Sequence, residues 1–264
     1  MTTASHFALH SVAHLRGKLV AVTPLHIGCG KAFDMGRTDA PILRDPQGRP
    51  YVPGSSLRGV LRAGIEAVLR AVDDRVAGLW ACDPFEAPCV EAALRDAHGG
   101  QPRAEAFDRG ACGACRVFGT SGFASRIWFG DLRCSGRHHT AVRDGVGIDR
   151  DLRTARDGVK FDYELLAAGA ELAIDLRARN LVDWELGLVA MGLDLLDQGQ
   201  VRLGGLGARG LGLVEVHIDS VSVRDAKSLL QRTPQAPGSS SGRPQEALRD
   251  WLAALQQRVN GGRR

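Results

Sequence analysis

Hydrophobic residues in this chain alternate between strand spacing and helix spacing in one order, and that order restricts the fold more than any single segment does. Residues 14–23 (HLRGKLVAVT) read as a strand rich in Leu and Val, closed by Pro24. A helix follows: Ser55 or Ser56 can cap it, and Leu57, Leu61, Ile65, Val68 and Leu69 recur on one face while Arg58 and Arg62 occupy the other. Residues 126–134 (RIWFGDLRC) and 170–179 (AELAIDLRAR) read as two further strands, the latter from the alternation of Leu172, Ile174 and Leu176. Residues 183–198 form a second helix through Trp184, Leu188, Met191 and Leu195, with Gly199 where a C-terminal cap belongs. Residues 211–223 (LGLVEVHIDSVSV) end the core as a strand.

Strand, helix, strand, strand, helix, strand is the split βαβ arrangement, which closes a four-stranded antiparallel sheet under two helices. The expected class is α+β with a ferredoxin-like core over residues 13–223, followed by a flexible linker and a short amphipathic helix over residues 224–264. A composition of 44% hydrophobic and 24% charged residues over 264 positions supports a buried core. Only 5% of residues are aromatic, and no strand carries an aromatic stacking motif, so base stacking on the sheet face is disfavoured. A net charge of +4, from 34 basic and 30 acidic residues, suits an acidic partner but does not identify nucleic acid. No charged-then-apolar leader and no run of roughly 18 apolar residues is present, so a cytoplasmic chain without a membrane partner is expected. In a reducing compartment the six cysteines point to metal binding or catalysis rather than disulfides.

Two long excursions leave the core, at residues 78–122 and 135–169. The first holds Cys82, Cys89, Cys112 and Cys115, a Cys-x6-Cys pair followed after 22 residues by Cys-x2-Cys. Four thiolates in that order can close a tetrahedron around a structural Zn2+. The first pair is looser than usual, so His98 and Cys134 stand as alternatives for one ligand, while Cys29 reads as a small loop residue. Farther on, residues 204–212 hold five glycines, Gly204, Gly205, Gly207, Gly210 and Gly212, around Arg209. Clustered glycines let backbone N–H groups approach a phosphate, and the guanidinium suits one, but a turn before a strand has the same composition. The segment is neither a Walker loop nor a dinucleotide fingerprint.

Three segments occur together: residues 39–62 (DAPILRDPQGRPYVPGSSLRGVLR), the CRVFGT run that begins at Cys115, and the glycine-rich loop. Over residues 15–216 the chain therefore resembles the RAMP superfamily, and within it the repeated backbone subunits of type III CRISPR effector complexes. The resemblance implies an RRM-related palm that stacks into a filament on CRISPR RNA and pairs it with target RNA, beside further copies of itself and other effector subunits. It places Ser55, Ser56, Arg58 and Arg62 against the guide backbone, at a helix N-terminus that favours phosphate. The alternative for the two arginines is a solvated helix face. Gly205, Gly207, Arg209 and Gly210 join the same RNA-binding set.

By motif position the resemblance makes Asp39 the acid needed for target-RNA cleavage, activating a ribose 2′-hydroxyl or holding Mg2+ or Mn2+, with Asp34 as the nearby competitor and Asp45 as a turn former. The second excursion resembles the family's thumb hairpin, with Ile148, Arg150 and Arg153 as candidates for the wedge between base pairs and its phosphate contacts. Its charge alone decides nothing, since residues 131–160 hold seven basic and five acidic residues. Two other readings stand beside a cleaving subunit. One is a noncatalytic guide-binding scaffold, in which Asp39 is a loop residue. The other is a metal-independent processing ribonuclease that uses His138 or His139.

Overall fold

The computed structural model describes residues 6–30, 38–90, 107–108, 110–136, 138–231 and 243–261. In chain order its elements are β1 (Ser11–Ala21), β2 (Tyr51–Val52), α1 (Gly54–Val72), α2 (Gly113–Phe118), β3 (Ile127–Phe129), β4 (Leu132–Ser135), β5 (Thr140–Ile148) and β6 (Ala155–Leu166). There follow β7 (Glu171–Arg179), α3 (Asp183–Asp197), β8 (Val214–Asp225), α4 (Ala226–Leu230) and α5 (Pro244–Gly261). The chain is mixed α+β. A six-stranded antiparallel sheet runs β2-β4-β7-β1-β8 with β3 also on β7, and β5 with β6 forms a separate hairpin.

β1 lies inside the sheet, with Leu15 opposite Leu176 on β7 and Val221 on β8. Alternation sends Ala13, Leu15, Leu19 and Ala21 into the core and His14, Arg16 and Lys18 to the opposite face. Onto the apolar face α1 lays Leu57, Leu61, Ile65 and Leu69, and α3 lays Leu186, Val189, Leu193 and Leu196, all buried in one cluster. α5 packs on α3 through buried Trp251 and Leu255, so the C-terminal helix is an outer layer of this same body. Among the described residues no helix is long and apolar enough to cross a membrane.

The structure departs from the periodicity at informative places. The strand expected over residues 126–134 is two strands, β3 and β4, broken at Gly130 and Asp131. There the Gly130 N–H donates to the Asp175 carbonyl at 2.9 Å, while the Asp131 carboxylate turns away to accept the Gly54 N–H at 3.0 Å. That second bond also corrects the cap. α1 begins at Gly54 behind Pro53, with no side-chain cap from its N-cap residue, and Ser55 and Ser56 lie inside its first turn. Gly54 is required: a Cβ there would stand 2.2 Å from the Phe129 carbonyl oxygen. The last strand starts at Val214 rather than residue 211, because Leu213 accepts bonds from Val22 and Thr23 and Gly212 from Leu203. The expected linker falls mainly on residues 232–242, outside the described residues.

Glu185, fully buried at the first turn of α3, fixes how these layers meet. Its Oε1 accepts from Arg126 at 2.6 Å and from Arg116 of α2 at 2.8 Å, and its Oε2 accepts the Val182 N–H at 3.1 Å. Arg126, 2% exposed, also donates to the carbonyls of Arg116 and Asn180. Removing one partner of such a cluster leaves buried charge uncompensated. Glu185→Ala is expected to lower the free energy of unfolding by ~3–5 kcal/mol in urea denaturation, and Leu193→Met, a volume-conserving change, by less than ~1.5 kcal/mol.

Candidate functional site

Two groups of side chains stand out. The first forms around β6, whose inner half is paired on both sides. β5 lies along one edge, while Ala40 bridges Tyr163 and Leu25 bridges Leu166 along the other. This edge pairing brings Asp39 to the hairpin base. The Asp39 N–H donates to Asp162 Oδ1 at 2.6 Å, and the Asp162 N–H donates to Asp39 Oδ2 at 3.0 Å. Asp39 is exposed.

Two residues along β6, Glu164 accepts from the Ile42 N–H at 3.1 Å and forms an ion pair with Arg44. The Glu164 carbonyl accepts from His26 Nδ1 at 2.8 Å, which identifies Nδ1 as the protonated nitrogen of that buried ring. The glycine-rich loop closes over the same place. The Gly205 N–H donates to the His26 carbonyl at 2.8 Å, and a Cβ on Gly204 (φ +88°) would meet that oxygen at 2.5 Å. Gly207–Arg209 is a single 3₁₀ turn between Leu206 and Gly210, both left-handed. The Arg209 guanidinium lies 4.9 Å from the centre of the Phe161 ring, itself stacked on Tyr163. The fold thus gathers Asp39, Gly205, Gly207, Arg209 and Gly210 around one strand, from two distant stretches of sequence.

Ile148, Arg150 and Arg153 are elsewhere, at the far end of the hairpin. Seven residues of β6 separate Asp162 from Ala155, about 23 Å at the usual strand rise. Asp149 shapes that tip: its Oδ1 accepts the N–H groups of Asp151 and Leu152, and its carbonyl accepts the Arg153 N–H, with Arg153 at φ +55°. Leu152, 74% exposed, protrudes farther into solvent than Ile148 at 58%. Val146 and Val159 are exposed as well, so the outer hairpin presents apolar side chains with no core beneath them. His138 and His139 sit at the start of this hairpin, and the His139 carbonyl accepts the Ala167 N–H at 2.9 Å. Asp34 lies outside the described residues, and Asp45 forms a turn by accepting the N–H groups of Gln47 and Arg49.

The second group surrounds α1. Cys82, Cys89, Cys112 and Cys115 are buried with their sulfurs within 4.8 Å of one another. Cys82 Sγ lies 3.6 Å from Cys115 Sγ and 3.7 Å from Cys112 Sγ. A tetrahedral zinc bound at ~2.3 Å needs sulfur edges of ~3.8 Å, so the four thiols can hold a metal ion. Amide N–H groups of Cys112 and Cys115 point at Cys89 Sγ and Cys112 Sγ, both at 3.4 Å, and so stabilise thiolate charge. The thiol of Cys115 pulls Cys112 down to about 7, and that of Cys112 draws Cys82 far below the ordinary range while pushing Cys89 and Cys115 up. Cys29 and Cys134 are not part of this cluster, and His98 lies outside the described residues.

Arg58 and Arg62 are occupied here. Arg58 donates to the Phe118 carbonyl at 2.6 Å; Arg62 donates to Glu66 at 2.7 Å and to the Gly119 carbonyl at 3.2 Å, and lies 3.8 Å from Cys115 Sγ. Both cations therefore join α1 to the last carbonyls of α2, rather than standing free on a solvated face. Beside them opens a cleft of about 700 Å³, lined also by Phe85, Thr120 and Ser121. Ser55 is exposed at the start of α1, where Asp131 already supplies the anion that a helix N-terminus favours.

Residues that periodicity did not reveal are His26, Asp162, Glu164 and Asp131. Asp162 and Glu164 alternate with Phe161, Tyr163 and Leu165, a strand signal inside the excursion, whereas His26 has none beyond its place between Leu25 and Ile27.

Residues 18–215 match the family model of the RAMP superfamily. The chain is similar to proteins named CRISPR system Cms endoribonuclease Csm3. Identity is 34% over 113 residues to that of Methanothermobacter thermautotrophicus (42% of this chain, 34% of the relative) and 42% over 57 residues to that of Enterococcus italicus (21% and 27%). To the Streptococcus thermophilus protein it is 29% over 203 residues, 73% of this chain and 81% of the relative. The chain thus matches about a third of the length of the first of these relatives and about a quarter of the second. Metal analysis of the purified protein is expected to find about one zinc per chain, falling towards zero in the Cys112→Ser/Cys115→Ser double variant and on acidification, since protons compete for the thiolates. Zinc content unchanged in the double variant would rule the site out.

Proposed function

Since the chain belongs to the RAMP superfamily, we propose that it is a guide-binding backbone subunit of a type III CRISPR effector complex and cleaves target RNA paired to the guide, with Asp39 as the acid. The observation that supports this best is the convergence on β6 of Asp39, the glycine-rich loop and the base of an exposed hairpin. The relatives' name, an endoribonuclease of a CRISPR system, agrees with it. On this reading the elements around β1, β4, β7 and β8 are a ferredoxin-like palm, for which the strand order β4-β7-β1-β8 is the support. Residues 78–122 are an insertion closed by Zn2+ on Cys82, Cys89, Cys112 and Cys115, and residues 135–169 are a thumb.

Each part then has a physical task. The guide backbone lies along the cleft beside α1, in reach of Thr120 and the outer faces of Arg58 and Arg62, with Ser55 and Ser56 in the first turn of that helix, and meets Arg209 and the Gly207 N–H on the glycine-rich turn, where Gly205 and Gly210 shape the backbone and donate their own N–H groups to the His26 and Gly207 carbonyls. The hairpin crosses the guide–target duplex and wedges it with Ile148 and Leu152, while Arg150 and Arg153 contact phosphates. A tip about 23 Å from its own Asp39 serves the linkage that a neighbouring copy cuts, which makes the working unit a row of subunits.

Asp39 has its Oδ2 committed to the Asp162 amide, so Oδ1 is the oxygen that faces RNA and takes the proton of the attacking 2′-hydroxyl. The ribose 2′-oxygen forms its bond to phosphorus as the P–O5′ bond breaks, and the departing 5′-oxygen takes a proton from water, giving a 2′,3′-cyclic phosphate and a 5′-hydroxyl end. Asp39 offers only oxygen donors, as Mg2+ or Mn2+ prefers, and such an ion would supply neutralisation of phosphate charge. In the assembled complex, Asp39→Ala is expected to lower the rate of target cleavage by at least ~100-fold with target binding unchanged. Equal cleavage by both proteins would remove Asp39 from the mechanism, and binding without cleavage by either would make the chain a scaffold.

A further inference from the structure

Asp162 stands where the hairpin and the Asp39 segment join. Its neighbours on the hairpin are matched. Asp144, opposite Asp162 in register, lies 3.3 Å from Lys160, and Glu164 is paired with Arg44. Asp162 instead spends Oδ1 on the Asp39 N–H at 2.6 Å and receives Asp39 Oδ2 on its own N–H at 3.0 Å. Each aspartate thus takes the other's amide, and this closed pair fixes both ends of Asp39. The backbone is held by the Asp162 side chain, and one carboxylate oxygen by the Asp162 backbone. One residue on, the pairing continues through the Glu164 N–H to the Ala40 carbonyl at 3.0 Å, so the Asp39 segment lies along β6 through a parallel bridge between Ala40 and Tyr163.

We propose that Asp162 is a positioning residue for Asp39: its carboxylate holds the Asp39 amide, turns the second Asp39 oxygen outward, and ties the aim of the acid to the placement of the hairpin. The proposal rests on Asp39 being the cleaving acid. Asp162 here needs neither a proton nor a metal ion, only an acceptor oxygen at its Oδ1 position. Asparagine keeps that acceptor and removes the charge, alanine removes both, and neither changes the Asp162 N–H that receives Asp39 Oδ2.

The test compares wild type, Asp39→Ala, Asp162→Ala and Asp162→Asn in the assembled complex with a labelled RNA complementary to the guide. Target binding, single-turnover cleavage and the magnesium concentration at half-maximal rate are measured for each. With equal binding, Asp162→Ala is expected to slow cleavage on the order of 10- to 100-fold, the usual effect of a misplaced catalytic group. Asp162→Asn is expected to cleave close to wild type with its magnesium dependence unchanged. Asp162→Ala cleaving like wild type while Asp39→Ala is inactive would overturn the positioning role and leave Asp39 as the acid. Asp162→Asn as slow as Asp162→Ala would overturn it too, since the negative charge would then be what matters. Full cleavage by Asp39→Ala would overturn the reading of Asp39 and this inference together.

Discussion

The Glu185 carboxylate, with no exposed surface, is the interaction on which the remaining layers depend. A buried charge persists only if it is paired, and here both oxygens are bonded, to Arg126, Arg116 and the Val182 amide. Arg126 precedes β3, Arg116 belongs to α2, and Val182 is the N-cap of α3. One carboxylate therefore sets the sheet, the second helix and the cysteine region in a single relation. Arg58 and Arg62 then bind the C-terminal end of that short helix to α1 through the Phe118 and Gly119 carbonyls. The four thiols inherit their mutual distances from this frame, and the cleft beside α1 inherits its walls.

A second constraint acts at β6. It is a hairpin strand at its outer half and a shared strand at its inner half, where it pairs with Thr140–Val142 on one side and meets Ala40 and Leu25 on the other. The outer half is free to expose Val146, Ile148 and Leu152, because nothing else in the chain covers it among the described residues. The inner half organises the Asp39 segment, His26 and the glycine-rich loop. A strand with these two roles links the hairpin proposed to wedge the duplex with the carboxylate proposed to act on it.

Much of the fold was legible because α1, α3, β1, β7 and β8 each bury one face, and burial writes its period into the sequence. What was not legible depends on distant partners. The break between β3 and β4 follows from Asp131 reaching Gly54, 77 residues away, and the same contact displaces Ser55 and Ser56 from the cap. Arg58 and Arg62 read as a polar face, yet their donors go to carbonyls about 60 residues ahead, 60 for Arg58 and 57 for Arg62. The cysteine spacing pointed to a cluster since the Cys112–Cys115 pair comes from one local turn, and all four thiols do lie together. Asp39 was named through resemblance alone. Its partner Asp162 lies 123 residues on, in a strand whose acids look like ordinary solvent-facing positions.

The central claim is that this chain is a repeated subunit that cuts RNA once per copy, and the positions of the cuts test it most directly. A target RNA fully complementary to the guide, labelled at one end and incubated with the assembled complex and magnesium, should give a ladder of products at one constant interval, each new end carrying a 5′-hydroxyl. A bound but intact target, or a single cut whatever the number of copies, would contradict the account.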